Sequence, residues 1–215
     1  HHITRSVGGV DYRLRVLADR QQYADPDGHA ARMGISEAQW SLFGQCWPSG
    51  HQLAEAMHRF DIAGKRILEL GCGIGLASLV LQQRGADVVA SDAHPLTEPF
   101  LCYNAALNGL PAPHYRQLCW DRGLPTLGSF DAIVASDVLY ERGQPERIVA
   151  VIARHARPCA EVLLVDAGRG HAGRFGRLLA DEGFVLHSAS GPLDDAEHPE
   201  YRGRLLHFHR QGGVQ

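Results

Sequence analysis

The chain has 215 residues, a length that fits one α/β domain with some N-terminal elaboration. Hydrophobic residues make up 45% of it and the net charge is −3, so the sequence encodes a sizeable core and does not suit a protein built mainly to bind nucleic acid or an anionic membrane. It has no apolar run long enough to span a bilayer, and its five cysteines lack paired metal-ligand spacing, which favours reduced thiols and a cytoplasmic location.

The N-terminal part, residues 1–45, is the least regular and is interpreted as an extension that precedes a main domain over residues 46–215. His1 and His2 are interpreted as the remnant of a purification tag and are left outside the predicted fold. Residues 10–17 alternate apolar and polar side chains, which predicts a strand with one exposed face.

A helix is predicted to open at Pro48, and from Lys65 onward short apolar runs alternate with helical segments. The predicted strands cover 67–70, 88–91, 114–118, 132–136, 161–165, 184–187 and 205–209. The predicted helices cover 76–84, 97–108, 145–155 and 173–182. This alternation predicts an α/β fold with a doubly wound, mostly parallel seven-stranded sheet. A turn-rich stretch between the last two strands indicates a hairpin, which places one antiparallel strand at the C-terminal end.

Three glycines, Gly71, Gly73 and Gly75, follow the first core strand at the end of the sheet where such folds bind ligands. Their spacing is wrong for the dinucleotide fingerprint, because Leu76 stands where the third glycine of G-x-G-x-x-G is needed. The sequence also lacks a G-x-x-x-x-G-K-[ST] loop, so a nucleoside triphosphate is not supported.

Two acidic residues frame this turn. Glu69 precedes the glycines, where it would repel a phosphate and attract an ammonium group. Asp92 ends the next strand at the spacing typical of a carboxylate that binds ribose hydroxyls. An adenosine with an amino-acid ammonium and no phosphate meets these conditions, so S-adenosylmethionine is the predicted cofactor.

The stretches LELGCGIG and VVASDAHP resemble the class I, seven-β-strand methyltransferases that use S-adenosylmethionine. The stretches CWPSGHQLA, LCW and FDAIVASDVLYE resemble one branch of them, the protein-lysine N-methyltransferases with a D-x-x-Y motif after the fourth strand. The resemblance covers about Trp47 to Phe184. It implies a Rossmann-like fold and methylation of a lysine in a protein partner. The charge balance argues against a nucleic acid or a membrane as the partner.

The resemblance also implies roles for individual residues. Asp137 and Tyr140, the D-x-x-Y pair, would face the mouth where the substrate amine enters. The cofactor-binding residues that it implies are Trp47, Glu69, Gly71, Cys72, Gly73, Gly75, Asp92, Trp120 and Ser136. Trp47 would close against the cofactor and Trp120 would flank its adenine. Structural roles remain as alternatives: the tryptophans as core aromatics, Asp137 as a helix N-cap and Tyr140 packed on the sheet edge.

Two further features lie outside the main motifs. His207 and His209 share one strand face but have no third ligand nearby in the sequence, so they are predicted to be exposed histidines on an edge strand, and no metal site is expected. The loop over 166–175 leaves the fifth strand at the ligand-binding end. Arg169 in that loop either shapes the substrate side of the site or is a surface residue.

Two other functions are compatible with the sequence. An enzyme of the same fold that methylates a small amine, such as a nicotinamide-like heterocycle, would share every cofactor residue. A binding module that retains the fold without activity is the third possibility, and the intact glycine turn, Asp92 and D-x-x-Y motif speak against it. An open cleft beside Asp137 and Tyr140 would favour a protein substrate, and a closed pocket would favour a metabolite.

Overall fold

The computed structural model describes residues 1–19, 25, 28, 30, 32, 35, 40–120, 126–191, 193, 195 and 198–212. Within these ranges the strands are β1 His2–Val7, β2 Val10–Arg15, β3 Arg66–Leu70, β4 Asp87–Asp92, β5 His114–Gln117, β6 Phe130–Ser136, β7 Ala156–Asp166, β8 Val185–Ser190 and β9 Arg204–Arg210. The helices are α1 Pro48–Arg59, α2 Leu76–Gln83, α3 Thr97–Leu107, α4 Gln144–His155 and α5 Ala172–Asp181. None of these helices is both long and apolar enough to cross a membrane.

Seven strands form one sheet in the order β5-β4-β3-β6-β7-β9-β8. The strand β9 is antiparallel to both of its neighbours, and the pairs among β3 to β7 are all parallel. The predicted fold class, a mostly parallel seven-stranded sheet with one antiparallel C-terminal strand, is therefore confirmed. The strand order reverses between β3 and β6, which opens a crevice at their carboxyl ends.

Helices cover both faces of the sheet, because successive side chains of a strand point to opposite sides. In β3, Ile67 packs with α1, α2 and α3 on one face, and Leu68 packs with α4 and α5 on the other. Both residues are fully buried. This burial on both faces explains why the core strands are continuous apolar runs in the sequence.

The N-terminal extension begins with a hairpin of β1 and β2 that packs beside α3. The backbone N–H of Arg13 donates to Asn108 Oδ1 at 2.9 Å, and that of Arg15 donates to Asn104 Oδ1 at 2.6 Å. The sequence analysis missed β1 and left His2 outside the fold, whereas His2 pairs with Arg15. Apolar residues in this strand occur only at Ile3 and Val7, so no alternating pattern marks it in the sequence.

The glycine turn between β3 and α2 needs glycine for two separate reasons. Gly75 has φ +87°, and a Cβ atom there would lie 2.1 Å from Leu101 Cδ1. Gly85 after α2 has φ +79°, but a Cβ atom there would meet nothing within 4 Å. A side chain at Gly85 would therefore cause backbone strain alone, whereas one at Gly75 would cause both strain and a steric clash.

We expect Gly75→Ala to lower the free energy of unfolding by about 2–4 kcal/mol, because left-handed strain and overpacking against Leu101 add together. Gly85→Ala, the matched control, should lower it by only about 1–2 kcal/mol, from strain alone. Urea denaturation of both variants measures the difference. Equal losses would show that Leu101 moves aside without cost.

Candidate active site

Most of the predicted site residues lie around two adjoining cavities at the carboxyl ends of β3, β4 and β6. The first, called the cofactor cavity here, is lined by eight of them: Trp47, Gly71, Gly73, Asp92, Trp120, Ser136, Asp137 and Tyr140. The second, called the inner cavity, adds Glu69 and Cys72. Gly75 lines neither cavity among the residues described, and instead packs toward Leu101. Residues far apart in the chain meet here because parallel strands end at the same edge of the sheet.

Asp92 joins the end of β4 to the glycine turn. Its Oδ2 accepts a hydrogen bond from the backbone N–H of Gly73 at 2.9 Å, and its Oδ1 accepts one from that of His94 at 2.8 Å. Burial raises the pKa of Asp92, and these backbone donors oppose the effect. These bonds hold the carboxylate in one orientation on the cavity wall. A carboxylate that binds the two hydroxyls of a ribose needs such a fixed orientation.

Glu69 lies beneath the glycine turn and is only 3% exposed. The hydroxyl of Ser78 donates a hydrogen bond to its Oε2. Burial raises the pKa of Glu69 to about 7, although the hydrogen bonds from Ser78 lower it in part. A carboxyl group with this pKa changes charge near neutral pH, on the wall of the inner cavity. Cys72 beside it is also buried, and burial raises the pKa of its thiol.

Two tryptophans form part of the cavity walls. A Cβ atom at Gly71 would lie 3.6 Å from the ring of Trp120, so the ring lies close over the turn. The indole Nε1 of Trp120 is buried and has no hydrogen-bond partner within the described structure. The Nε1 of Trp47 donates to the backbone oxygen of Leu42 at 3.0 Å. Trp120 also packs against the core, so its structural role and its position on the cavity wall coexist.

An aromatic stack that the sequence does not predict lies over the end of β4. The rings of Phe43 and His94 are parallel, with centroids 4.1 Å apart, and Trp40 packs at 4.2 Å on His94. Burial lowers the pKa of His94 to about 4, so the ring is neutral at neutral pH. Its Nδ1 accepts the backbone N–H of Leu96 at 3.2 Å, which leaves the proton on Nε2. The only signal for His94 was its place in the stretch SDAHP.

Gln144, the first residue of α4, was also missed. Its side chain is 1% exposed and lines the cofactor cavity near Tyr140. Its Oε1 has no hydrogen-bond partner in the described part of the chain. A buried amide oxygen without a donor is unfavourable unless a ligand supplies one. Glutamine is ordinary in a helix, so the sequence carries no signal for this position.

Asp137 has an unusual backbone conformation, with φ +51°, and among the described residues other than glycine it alone has a positive φ. Arg169 donates two parallel hydrogen bonds to it, from Nε to Oδ1 at 3.0 Å and from a terminal nitrogen to Oδ2 at 3.1 Å. The helix α4 begins at Gln144 after Gly143, so Asp137 is not its N-cap. Strained residues held by their surroundings cluster at functional sites, and Arg169 belongs to this one.

The cavity residues fit S-adenosylmethionine. A Cβ atom at Gly73 would meet nothing within 4 Å, so the turn leaves open space in front of its backbone. An acid lies beneath the turn and a second one is held at the end of β4.

Comparisons with known proteins find methyltransferases. The human histone-arginine methyltransferase METTL23 is 34% identical over 113 residues, which cover 49% of this chain and 60% of that protein. The ubiquinone biosynthesis O-methyltransferase of Xanthomonas oryzae pv. oryzae is 35% identical over 115 residues, which cover 52% of this chain and 46% of that protein. The matches thus extend over about half the length of these relatives.

The structure is similar to that of the magnesium protoporphyrin IX methyltransferase of Synechocystis PCC 6803 with bound S-adenosylmethionine. The TM-score is 0.62 at 18% identity, over 89% of this chain and 90% of that one, which shows a shared fold. The sequence profile of the lysine methyltransferase family matches residues 35–174, which is more than half of the chain. The chain therefore belongs to the lysine methyltransferase family, within the class I methyltransferases that use S-adenosylmethionine.

Proposed function

We propose that this chain transfers a methyl group from S-adenosylmethionine to the side-chain amine of a lysine in a protein. The observation that carries the proposal is the strained Asp137, fixed by Arg169 on the wall of the cofactor cavity, where Tyr140 also lies. The family match supports the same acceptor. In this proposal Asp137 and Tyr140 would face the incoming amine.

The residues that would hold the cofactor are those that the family resemblance implies and that line the two cavities. The backbone at Gly71 and Gly73 would contact its amino-acid part, with Glu69 beneath for the ammonium. Asp92 would accept hydrogen bonds from the ribose hydroxyls, and Trp120 would pack against the adenine. When bound, the sulfonium supplies an activated methyl group for an in-line displacement.

The protein's contribution to this reaction is position and electrostatics. A lysine amine has a reference pKa of about 10.4 and must be neutral to react. Removal from water lowers this pKa, and Asp137 with Tyr140 would orient the neutral nitrogen toward the methyl group. The proposal assigns no dedicated general base.

Arg169 is proposed as a positioning residue that acts through Asp137. We expect Arg169→Lys to lower kcat about tenfold, because a lysine keeps the charge but cannot form the two-point pair. The dissociation constant for S-adenosylmethionine should change less than twofold. Arg177→Lys on the exposed face of α5 is the control. A kcat unchanged in Arg169→Lys would mean that the orientation of Asp137 does not depend on the pair.

We expect the affinity for S-adenosylmethionine to rise between pH 6 and pH 7.5. Glu69 has a pKa of about 7 and gains its negative charge in this interval, while the cofactor's ammonium, with a reference pKa of about 7.7–8.0, stays mostly protonated. Calorimetric titrations across this pH range measure the effect, and Glu69→Gln should flatten it. Ser78→Ala removes a hydrogen bond that favours the ionised form, so it should move the midpoint to higher pH. A slope that persists in Glu69→Gln would assign the effect to another group, such as Asp92.

A second candidate is methylation of a small amine. It is favoured by the similarity to the ubiquinone biosynthesis O-methyltransferase of Xanthomonas oryzae pv. oryzae, whose name gives a small molecule as the acceptor. The two functions differ in the size of the acceptor, and the cofactor site is common to both.

One experiment separates these candidates. A cell lysate is incubated with the protein and S-adenosylmethionine labelled in its methyl group, and the label is then traced. Label on lysine in proteins, absent with Asp137→Asn, supports the main proposal. Label confined to small molecules supports the second candidate. Label on arginine or on hydroxyl groups would overturn both.

A further inference from the structure

A cluster of one carboxylate and two imidazoles lies on the sheet face that α1 covers. Glu161 is on β7, and His209 on β9 is its direct partner across the two strands. His207 is two residues away on β9 and so points to the same face. The expectation of edge-strand histidines without a third ligand is corrected here, because β9 lies between β7 and β8, and Glu161 completes the set.

The three side chains meet at single atoms. His207 Nε2 lies 2.7 Å from Glu161 Oε2 and 2.8 Å from His209 Nε2, and His209 Nε2 lies 3.4 Å from Glu161 Oε2. An imidazole nitrogen either carries a proton or accepts one. If His207 Nε2 is protonated, its single N–H must donate to both Glu161 Oε2 and His209 Nε2. If it is not, its lone pair faces a carboxylate oxygen. Protons alone therefore leave one of these close contacts poorly satisfied.

A metal ion satisfies all three atoms at once. A triangle with sides of 2.7, 2.8 and 3.4 Å has a circumradius of about 1.75 Å, so an ion about 1 Å above its centre lies about 2.0 Å from each atom. This is the distance at which Zn²⁺ binds imidazole nitrogen and carboxylate oxygen. Two imidazoles and one carboxylate are also a ligand set typical of zinc sites that keep a fourth position for water.

The surroundings favour this geometry. Lys65 Nζ donates to the other carboxylate oxygen of Glu161, Oε1, at 2.9 Å, which leaves Oε2 for the two histidines. The side chains of Glu161 and His207 are 20% and 19% exposed, so the cluster is partly shielded yet reachable from solvent. The ring of His187 on β8 stacks on that of His209 with centroids 4.4 Å apart, and Phe60 packs edge-on against His207. The imidazoles are thus held in place by packing.

We propose that Glu161, His207 and His209 bind one divalent transition-metal ion, with zinc as the ion that best suits them. The site links β7 to the antiparallel strand β9 and is separate from the cofactor cavity. Glu161 precedes Asp166, the last residue of β7, by five residues, or about 16 Å along an extended strand. Its role is to stabilise this part of the sheet, and it does not depend on the proposed methyl transfer.

Titration of chelator-treated protein with zinc chloride, followed by calorimetry, tests the site. We expect one equivalent of zinc with a dissociation constant in the micromolar range or below, together with a rise in Tm. Glu161→Gln keeps the shape of the side chain and should weaken zinc binding at least tenfold, as should His209→Ala. Retained binding of S-adenosylmethionine in these variants shows that they are folded.

Two controls exclude other histidines. His114→Ala removes an exposed imidazole on β5 and should leave zinc binding unchanged. Replacement of His1 and His2 together by alanine should also leave it unchanged. The proposal is overturned if the wild-type protein binds no zinc in this range, if folded Glu161→Gln binds it as tightly as the wild type, or if loss of His1 and His2 abolishes binding.

Discussion

Asp137→Asn should lower kcat for methyl transfer by about 100- to 1,000-fold and leave the dissociation constant for S-adenosylmethionine within threefold of the wild-type value. The substitution removes the charge that Arg169 holds at the cavity wall. Asparagine tolerates the positive φ of this position, whereas alanine would add backbone strain and confuse the result. Single-turnover transfer and calorimetric cofactor binding, measured on the same preparation, give the two numbers.

A matched control is Asp181→Asn, which removes one exposed carboxylate at the end of α5 and should keep wild-type kcat. Normal transfer by Asp137→Asn would remove Asp137 from the proposed mechanism. A parallel loss of cofactor affinity would instead assign Asp137 to cofactor binding.

Asp92→Asn should weaken S-adenosylmethionine binding about 100-fold or more. The native carboxylate accepts from the backbone N–H groups of Gly73 and His94 and would also accept from the ribose. In asparagine an NH₂ group replaces one carboxylate oxygen, so it faces one of these donors and that hydrogen bond is lost. Each lost charge-assisted hydrogen bond costs about 1.5–3 kcal/mol. Calorimetric titration with S-adenosylmethionine measures the loss of affinity. A tenfold change in Kd corresponds to about 1.4 kcal/mol.

Asp87→Asn tests whether the effect is local, since Asp87 is the exposed first residue of the same strand, β4. It lies 3.7 Å from the Arg66 guanidinium and should change cofactor affinity little. Cofactor affinity in Asp92→Asn equal to that of Asp87→Asn would contradict the ribose-binding role.

The fold and the glycine turn were predictable because they depend on local patterns. Buried strands such as β3 are short apolar runs, and helices such as α4 end or begin within one or two residues of their predicted bounds. The acids Glu69 and Asp92 were found by their spacing from the glycines, and both line the cavities at the sheet edge. Spacing within one strand–turn–helix unit is information that a sequence carries directly.

What escaped prediction depends on contacts between distant segments. The stack of Phe43 on His94 joins the extension to the end of β4, and nothing local in either segment indicates the pairing. The sequence is compatible with two roles for Arg169, because only the fold brings its side chain to Asp137. Glu161 was not recognised beside His209 for the same reason, since their pairing is set by the register of β7 and β9.

The N-terminal hairpin also bears on cooperativity of unfolding. Tyr12 and Leu14 of β2 are buried in the same apolar cluster as Leu53 and Met57 of α1. Loss of the hairpin would expose apolar side chains of α1 to water and so lower the free energy of unfolding. The hairpin and the sheet should therefore melt in one transition, and a fragment that starts at residue 46 would be prone to aggregate rather than an independent folding unit.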